Sequence, residues 1–241
     1  MIAMHDNELK FTLPLLETPR TVRIRFRKVG NLQYISHLDL QRTFGRVLVR
    51  AGLPLWYTKG FNPHIKMVFG MPLPVGAESE CEFLDVRLER DMSCEEVMRR
   101  LNAELTEELA VLAVYPAERK FAEIAFAEYE YIICTTGADE ALSERIRTAL
   151  ASPLTIEKKG KAGVKTVSVS ECIHRAEVAF AEGVITMRLV LSAGEGKYLS
   201  PESIITALRS ETGILSGDLT KESYRILRRR ALLADGETTF A

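Results

Sequence analysis

The chain has 241 residues, of which 46% are hydrophobic and 27% charged, with a net charge of −1. This is the composition of an ordinary globular protein, and the length allows one large domain or two small ones. No apolar run approaches the roughly 18–20 residues that span a bilayer, and the first twenty residues lack the basic start and apolar core of a signal peptide, so we expect a cytoplasmic protein without contact to a membrane.

The first elements follow a leader at residues 1–19, which we expect to be partly disordered. Residues 21–30 alternate apolar residues with arginines at a period of two, which predicts a half-buried strand with a basic outer face. Ser36 then provides a helix N-cap with Asp39 three residues on, and Gly52 ends the helix.

The rest of the N-terminal half continues this alternation of strands and helices. Residues 54–58 predict a short strand, and 65–74 and 79–89 predict two further strands. Ser93 caps a second helix, and residues 109–117 predict a closing strand. The order β-α-β-β-α-β is typical of the split βαβ, or ferredoxin-like, fold.

The second half repeats this order more loosely. We predict a strand at 127–136, a helix at 139–152, hairpin strands over 154–192, a helix capped by Ser200 and ended by Gly213, and a last strand at 222–233. The fold class is therefore α+β, with two ferredoxin-like domains side by side, the second more divergent. The expected boundaries are 20–118 for the N-terminal domain and 119–241 for the C-terminal domain.

Charge is distributed unevenly along the chain. Residues 20–66 contain ten basic residues and one acid, Asp39, and so carry +9, which leaves −10 on the remainder. Such asymmetry favours an anionic ligand on the N-terminal half. The alternative is a basic face that complements an acidic face on the other half of the chain.

The basic residues of this segment follow two patterns. Arg42, Arg46 and Arg50 repeat every four residues on one face of the predicted helix. Together with the arginines of the first strand they predict a surface for RNA phosphates, and nearby aromatics such as Tyr57 and Phe61 offer platforms for bases. The alternative is two solvated faces with the aromatics in the core. The predicted RNA-binding residues are Arg23, Arg25, Arg27, Lys28, His37, Arg42, Arg46, Arg50, Lys59, Phe61, Asn62, His64 and Lys66.

Two histidines stand out within this set. His37 lies in the first turn of the helix, and His64 ends a Gly-Phe-Asn-Pro-His turn. A helix start and a rigid turn suit a specific point of contact with an anion, and two histidines also suit metal-free acid–base cleavage of RNA. The alternative is that His37 caps its helix and His64 holds its own loop.

Other sites of chemistry are not indicated. The four cysteines are widely scattered without Cys-x-x-Cys spacing, so we predict free thiols, no metal site and no cofactor. Phosphate-binding loops, nucleophile elbows and paired-carboxylate motifs are absent from the sequence, so nothing requires an enzyme. A basic hairpin tip at 158–165 is better explained as a solvated turn than as a contact to nucleic acid.

Residues 21–90 closely resemble a bacterial family of unknown function, whose members are free-standing or fused to the C-terminus of radical S-adenosylmethionine (radical SAM) proteins. The resemblance implies partnership with a radical SAM protein rather than radical chemistry in this chain. The residues that carry it are Arg25, Lys28, the Ile35-Ser36-His37-Leu38-Asp39 run, Arg42, Arg46, Leu53-Pro54, the Gly60-Phe61-Asn62-Pro63-His64 turn, Pro72-Leu73, Gly76 and residues 79–82.

The same stretch is similar, more distantly, to CRISPR repeat-cleaving endoribonucleases, which are paired ferredoxin-like folds with a histidine after the first strand. His37 occupies a comparable place, but the C-terminal glycine-rich loop of those enzymes is not evident. This resemblance implies a shared fold and RNA affinity more than cleavage.

These observations favour a non-catalytic RNA-binding accessory protein that presents a structured RNA, transfer or ribosomal, to a radical SAM partner. One alternative is a metal-independent endoribonuclease that uses His37 and His64. Another is a protein–protein adaptor whose basic face docks on the radical SAM enzyme.

Overall fold

The computed structural model describes residues 12–160, 163–194, 197–218 and 220–241. It divides into two compact units, residues 1–121 and 122–241. Within the described residues each unit combines antiparallel strands with α-helices, so the chain belongs to the α+β class, as predicted.

Unit 1 has the element order β-α-β-β-α-β. Its strands pair antiparallel in the spatial order β4-β1-β3-β2. The elements are β1 (Leu15–Lys28), α1 (His37–Arg50), β2 (Met67–Phe69), β3 (Ala77–Arg90), α2 (Cys94–Glu104) and β4 (Val111–Pro116).

The core of unit 1 lies between its sheet and its helices. Val22, Ile24 and Phe26 are fully buried, as the alternation of β1 predicts, and the Phe26 ring lies 4.6 Å from that of Phe44 in α1. Burial of each such side chain contributes roughly 1.5–3 kcal/mol. Because side chains alternate along a strand, Arg23 and Arg25 project from the face of the sheet opposite α1.

Two strands of unit 1 are shorter than the sequence predicts. Residues 54–58 form only isolated bridges, Leu55 to Leu88 and Tyr57 to Ile65, and the strand predicted at 65–74 is reduced to β2. Prolines at positions 72 and 74 cannot donate to a ladder, so the second of these strands ends early, whereas residues 54–58 depend on β3, to which they are joined by the bonds Trp56 N–H to the Arg87 carbonyl and Glu89 N–H to the Pro54 carbonyl.

β1 is longer than predicted, because it begins at Leu15 inside the expected leader. Leu15 pairs with Arg90, and a register shift separates this pair from Arg20. Arg90 Nη1 donates to the Leu13 carbonyl at 2.8 Å and Arg20 Nη2 to the Met92 carbonyl at 2.6 Å, so tertiary contacts order this segment. Residues 1–11 of the expected leader lie outside the described residues.

Unit 2 repeats the order of unit 1 around an inserted hairpin. Its sheet is antiparallel in the order β10-β5-β9-β8, and β6 and β7 pair separately with each other. Residues 161–162 of the predicted basic hairpin tip lie outside the described residues. The elements are β5 (Phe126–Cys134), α3 (Glu140–Ala151), β6 (Thr155–Gly160), β7 (Gly163–Ser168), β8 (Ile173–Ala181), β9 (Val184–Ser192), α4 (Glu202–Thr212) and β10 (Ser223–Leu232).

Side-chain caps begin three of the four α-helices in the described ranges. Ser36, Ser93 and Asp139 each accept a hydrogen bond from the backbone N–H three residues on, at 3.2, 3.2 and 2.6 Å. The predicted Ser200 cap of α4 is wrong: Pro201 occupies the N-cap position without a side-chain bond. Pro201 has a helical φ of −58°, so the turn that begins α4 starts one residue later than predicted. The Ser200 carbonyl, and not its hydroxyl, accepts the hydrogen bond from the Ser203 N–H.

None of the helices within the described residues has the length and apolar character needed to cross a bilayer.

Candidate nucleic-acid interface

The arginine row, Arg42, Arg46 and Arg50, lies exposed on α1. Arg42 is 3.2 Å from Asp39, whose pKa is lowered by the Ser36 hydroxyl and by Arg42, and Arg50 is 2.7 Å from Glu104. Within the described part of the chain Arg46 has no ion pair. Surface pairs of this kind contribute roughly 0–1 kcal/mol, so the three guanidinium groups remain available to a stronger anion.

Arg23, in contrast, is a structural residue. It is 1% exposed, and its Nε and Nη2 atoms lie 2.8 and 2.9 Å from the two carboxylate oxygens of Asp85. Nη2 also donates to the Arg119 carbonyl at 2.7 Å, and the guanidinium lies 4.2 Å from the Phe121 ring centroid. The predicted contact of Arg23 with a phosphate is therefore corrected: burial holds this side chain inside unit 1.

Lys28 is also internal and does not form part of an exposed basic face. It is 2% exposed, and its Nζ donates to the Leu32 carbonyl at 3.1 Å, which holds the short 3-10 helix at Gly30–Tyr34. Arg27 is half-buried and its Nε donates to the Glu107 carbonyl. Arg25 is half-buried near Tyr115, whose pKa is raised by burial.

The two basic patterns do not form one surface. α1 packs on the buried face of β1, whereas Arg23 and Arg25 project from the other face. The sequence places the two sets about twenty residues apart, but the sheet separates them. The arginine row is the exposed part of the predicted phosphate surface.

The 58–64 loop is closed at its base by its own residues. The Thr58 N–H donates to the His64 carbonyl at 2.9 Å, and the His64 N–H donates to the Thr58 hydroxyl at 3.1 Å. His64 Nδ1 donates to the Asn62 carbonyl at 3.1 Å. His64 thus holds the loop, which was the alternative interpretation of this residue.

The tip of this loop presents an aromatic ring to solvent. Phe61 is fully exposed, and Lys59, Asn62 and Lys66 around it are exposed as well. Phe61 is therefore accessible to another molecule, although a single exposed apolar side chain is common on protein surfaces.

His37 has a packing role at the start of α1. Its Nε2 accepts from the Gln41 side-chain amide at 2.9 Å, and its ring meets the Phe69 ring edge-on at 5.1 Å. Within the described residues no hydrogen bond joins His37 to His64, so the pair is not assembled as an acid–base site.

A cavity that the sequence did not reveal lies beside the end of α1, between residues 53–57 and the end of β3. Its volume is about 240 Å³. The sequence predicts Tyr57 as a stacking platform for a base. The walls of the cavity, however, come from three separate segments of the chain, and the spacing of residues in the sequence does not indicate that they meet. The lining residues are Val49, Leu53, Pro54, Leu55, Tyr57, Glu89 and Arg90.

Metal-ligating groups do not cluster in the described ranges, where no group of three or more His, Cys, Asp or Glu side chains is suited to hold an ion. The four cysteines are free thiols, of which Cys81 is buried.

Comparison with known proteins gives a family match. A family model described as "Uncharacterized protein conserved in bacteria (DUF2344)" matches residues 21–201. No curated protein matches the chain.

Among solved structures, the chain is similar to one in "Crystal Structure of a Cbf5-Nop10-Gar1 Complex", at 14% identity and a TM-score of 0.45, over 93% of this chain and 50% of that one. It therefore spans about half the length of that relative. An unknown protein from Galdieria sulphuraria matches at 11% identity and a TM-score of 0.25, over 88% and 99% of the two chains. DyPB from Rhodococcus jostii RHA1 matches at 11% identity and a TM-score of 0.20, over 91% of this chain and 95% of that one. These similarities are too low to assign a function.

Proposed function

This chain belongs to the bacterial family of uncharacterized proteins DUF2344, and we propose that it is an RNA-binding accessory protein that presents a structured RNA to a radical SAM partner. The observation that carries the proposal is the exposed arginine row on α1, in the same unit as a closed loop that holds Phe61 fully exposed.

The arginine row suits phosphates because of its spacing and its chemistry. Residues four apart in a helix are separated by about 6 Å along its axis, so the three guanidinium groups form a line. Guanidinium stays charged at any cellular pH and binds phosphate oxygens in a bidentate manner. The ion pairs of Arg42 and Arg50 are exposed and weak enough to exchange for such contacts.

Phe61 supplies the second requirement of RNA binding, a stacking platform. Every base has a π-face, and stacking on an aromatic side chain is worth roughly 1–3 kcal/mol per base. The hydrogen bonds between Thr58 and His64 fix the loop before binding, which reduces the entropy lost in the complex.

The fold is compatible with this role. We infer that both units are ferredoxin-like, the second with the β6–β7 hairpin inserted, because both have the same element order and the same antiparallel strand order. The radical SAM partner and the choice of transfer or ribosomal RNA rest on the family resemblance. Presentation rather than cleavage is favoured because His37 and His64 are each engaged in local packing.

The test is RNA binding by the triple variant Arg42→Glu, Arg46→Glu, Arg50→Glu. We expect affinity for transfer and ribosomal RNA to fall at least tenfold, and the slope of log affinity against log salt to decrease by up to about 3 as phosphate contacts are lost. The matched control is Arg145→Glu, Arg209→Glu, Lys221→Glu, which makes the same change in charge on exposed residues of unit 2. Unchanged binding by the first variant, or equal losses in both, would show that the row is not the RNA surface.

A protein–protein adaptor is the second candidate, because apolar side chains accompany the basic ones. Tyr34, Leu38, Val49 and Phe61 are all exposed, and aromatic and apolar anchors surrounded by arginine are typical of protein interfaces. Co-purification with the radical SAM enzyme after nuclease treatment, with no RNA in the eluate, would favour the adaptor. The endoribonuclease alternative requires discrete, His37-dependent cuts in cellular RNA in the presence of chelator.

A further inference from the structure

We propose that the cavity bounded by the end of α1, residues 53–57 and the end of β3 is a base pocket that receives one unstacked nucleobase. This inference rests on the proposed RNA-binding function and adds to it the place where an individual base is recognised. The base pocket is defined by Val49, Leu53, Pro54, Leu55, Tyr57, Glu89 and Arg90.

The size of the base pocket suits a single small ring system. Its volume of about 240 Å³ lies below the roughly 300–1,000 Å³ of pockets that hold drug-sized ligands. Leu53 and Leu55 are buried and give the pocket an apolar floor. A flat, largely apolar base fits such a floor better than a hydrated sugar or phosphate does.

The walls of the base pocket are held by β3. The Glu89 N–H donates to the Pro54 carbonyl at 2.9 Å, and the Trp56 N–H donates to the Arg87 carbonyl at 2.9 Å. Leu55 and Leu88 form an antiparallel bridge between these two bonds. The pocket is thus built from paired backbone and does not have to form when a ligand arrives, which favours affinity.

Aromatic and apolar side chains remain accessible at this site. Tyr57 is 44% exposed and Val49 is 50% exposed, although both belong to an otherwise packed corner of unit 1. Stacking of an unpaired base on a tyrosine ring is a standard mode of single-strand RNA recognition. Tyr57 therefore provides the stacking surface and Val49 the opposite side of the entrance.

Two further residues at the end of β3, Glu89 and Arg90, complete the lining. Leu88 packs in the core shared with α1, so alternation along β3 turns the Glu89 carboxylate towards the other face of the sheet and leaves its backbone at the pocket. Arg90 donates to the Leu13 carbonyl at 2.8 Å, which fixes the direction of its guanidinium. The pocket is therefore expected to accept any unpaired base, because every base has a π-face.

The charge around the pocket is consistent with an RNA ligand. Val49 lies between Arg46 and Arg50 in α1, so the arginine row leads to the pocket entrance. A larger cavity in unit 2, of about 470 Å³, is lined by Glu144 and Glu211 as well as Arg145. The lining of that cavity carries a net negative charge, which disfavours a polyanion, whereas Glu89 and Arg90 balance each other in the base pocket and the arginine row lies beside it.

The experiment compares pocket variants of the full chain with matched controls. Tyr57→Leu removes the stacking ring, and Val49→Trp fills the entrance at a half-exposed position that tolerates a larger side chain. The controls are Tyr198→Leu and Val75→Trp, which make the same changes at exposed residues that do not line the pocket. RNA affinity and its salt dependence are measured by fluorescence anisotropy.

Both pocket variants are expected to bind RNA about 5- to 150-fold more weakly, the fold-change that corresponds to one lost base stack. Their salt slope should stay unchanged, because no phosphate contact is lost. Saturation-transfer NMR should show binding of CMP and UMP to the unaltered protein and a weaker signal with Tyr57→Leu.

The outcomes separate the two proposals. If the unaltered protein binds RNA and the arginine-row variant does not, but Tyr57→Leu and Val49→Trp bind normally, the base pocket is wrong and the RNA-binding function stands. If the unaltered protein binds no RNA, both proposals are overturned. Binding of CMP by Tyr57→Leu as strong as by the unaltered protein would overturn the stacking role of Tyr57.

Discussion

Burial decides what individual arginines of this chain do. Arg23 and Arg46 are the same residue type within one basic segment, yet Arg23 is enclosed by Asp85, the Arg119 carbonyl and Phe121, whereas Arg46 is exposed. A buried guanidinium is stable only with its partners in place, because desolvation of a charge is costly. The basic segment predicts RNA contacts for both residues, but the buried surroundings of Arg23 make it a structural residue.

At this scale we expect Arg23→Ala to lower the free energy of unfolding by about 3–5 kcal/mol, because it leaves the largely buried Asp85 carboxylate without its guanidinium. Urea denaturation followed by circular dichroism measures the change. Arg46→Ala is the control and should stay within about 0.5 kcal/mol of the unaltered protein. A similarly small effect of Arg23→Ala would contradict the structural role.

The helices illustrate how neighbouring residues act together as an element. At the start of α2 the Ser93 hydroxyl caps the helix by accepting a hydrogen bond from the Glu96 N–H. The Glu96 carboxylate in turn accepts hydrogen bonds from Arg99 at 2.7 Å and from Arg100 at 2.6 Å. The hydrogen bond from Arg99, followed by that from Arg100, lowers the pKa of Glu96 to about 2. The ionised carboxylate therefore stabilises the folded state.

We expect Glu96→Gln to destabilise the protein at pH 7 and to have progressively less effect as the pH falls from about 4.5 towards about 2. Because the folded pKa is lowered, the contribution is present above the unfolded value and is lost as the carboxylate becomes protonated. Unfolding free energies of both proteins across this range measure the effect. Glu95→Gln in the same helical turn should show a smaller pH-dependent difference; an equal one would exclude the arginine pairs as the cause.

Glycines in two helices should respond in opposite ways to the same substitution. Gly45 lies inside α1, where an added methyl group would meet Met67 Cε at 3.6 Å, an ordinary contact. Gly213 ends α4 with a φ of 77°, a left-handed conformation that disfavours a side chain. Gly45→Ala should raise stability by about 0.5–1 kcal/mol and Gly213→Ala should lower it by about 1–2 kcal/mol. Thermal unfolding compares the two, and the same sign for both would contradict the assigned conformations.

For the whole molecule, the shifted groups define a range of pH in which folding is most stable. The pKa values of Asp39, Glu96, Glu128, Asp218, Glu222 and Asp235 are lowered, mainly by hydrogen bonds that favour the charged carboxylate. Burial raises those of Tyr115, Tyr131 and Cys172, which favours their neutral forms.

The signs of these shifts predict a plateau. Lowered carboxylate pKa values contribute stability above the unfolded values of 3.8 and 4.5, which is lost as the pH falls. Raised tyrosine and cysteine values contribute stability below the unfolded values of 10.0 and 9.0, which is lost as the pH rises. The thermal midpoint should be nearly constant between about pH 5 and 9 and decline on both sides. A midpoint that rises from pH 5 to pH 3 would contradict this assignment.

Features that depend on neighbouring residues could be predicted from the sequence, whereas features that depend on contacts between distant residues could not. The alternation of β1, the Ser36 and Ser93 caps and the Gly213 terminus are local features, and each is found where it was predicted. The strand at 54–58 was wrong because a ladder depends on the partner strand, and the extension of β1 to Leu15 depends on contacts with Arg90. The lining of the base pocket also comes from segments that are distant in the sequence, so the sequence did not indicate it.

The sequence by itself determined the α+β class, most of the element order and the basic character of residues 20–66, because these follow from periodicity, capping and composition. Only the tertiary structure decided which basic residues face solvent. The sheet of unit 1 places Arg23 and the arginine row on opposite sides, and the burial of Arg23 and Lys28 gives them internal partners. Solvent exposure depends on which residues the fold brings together, and positions along the chain do not specify that.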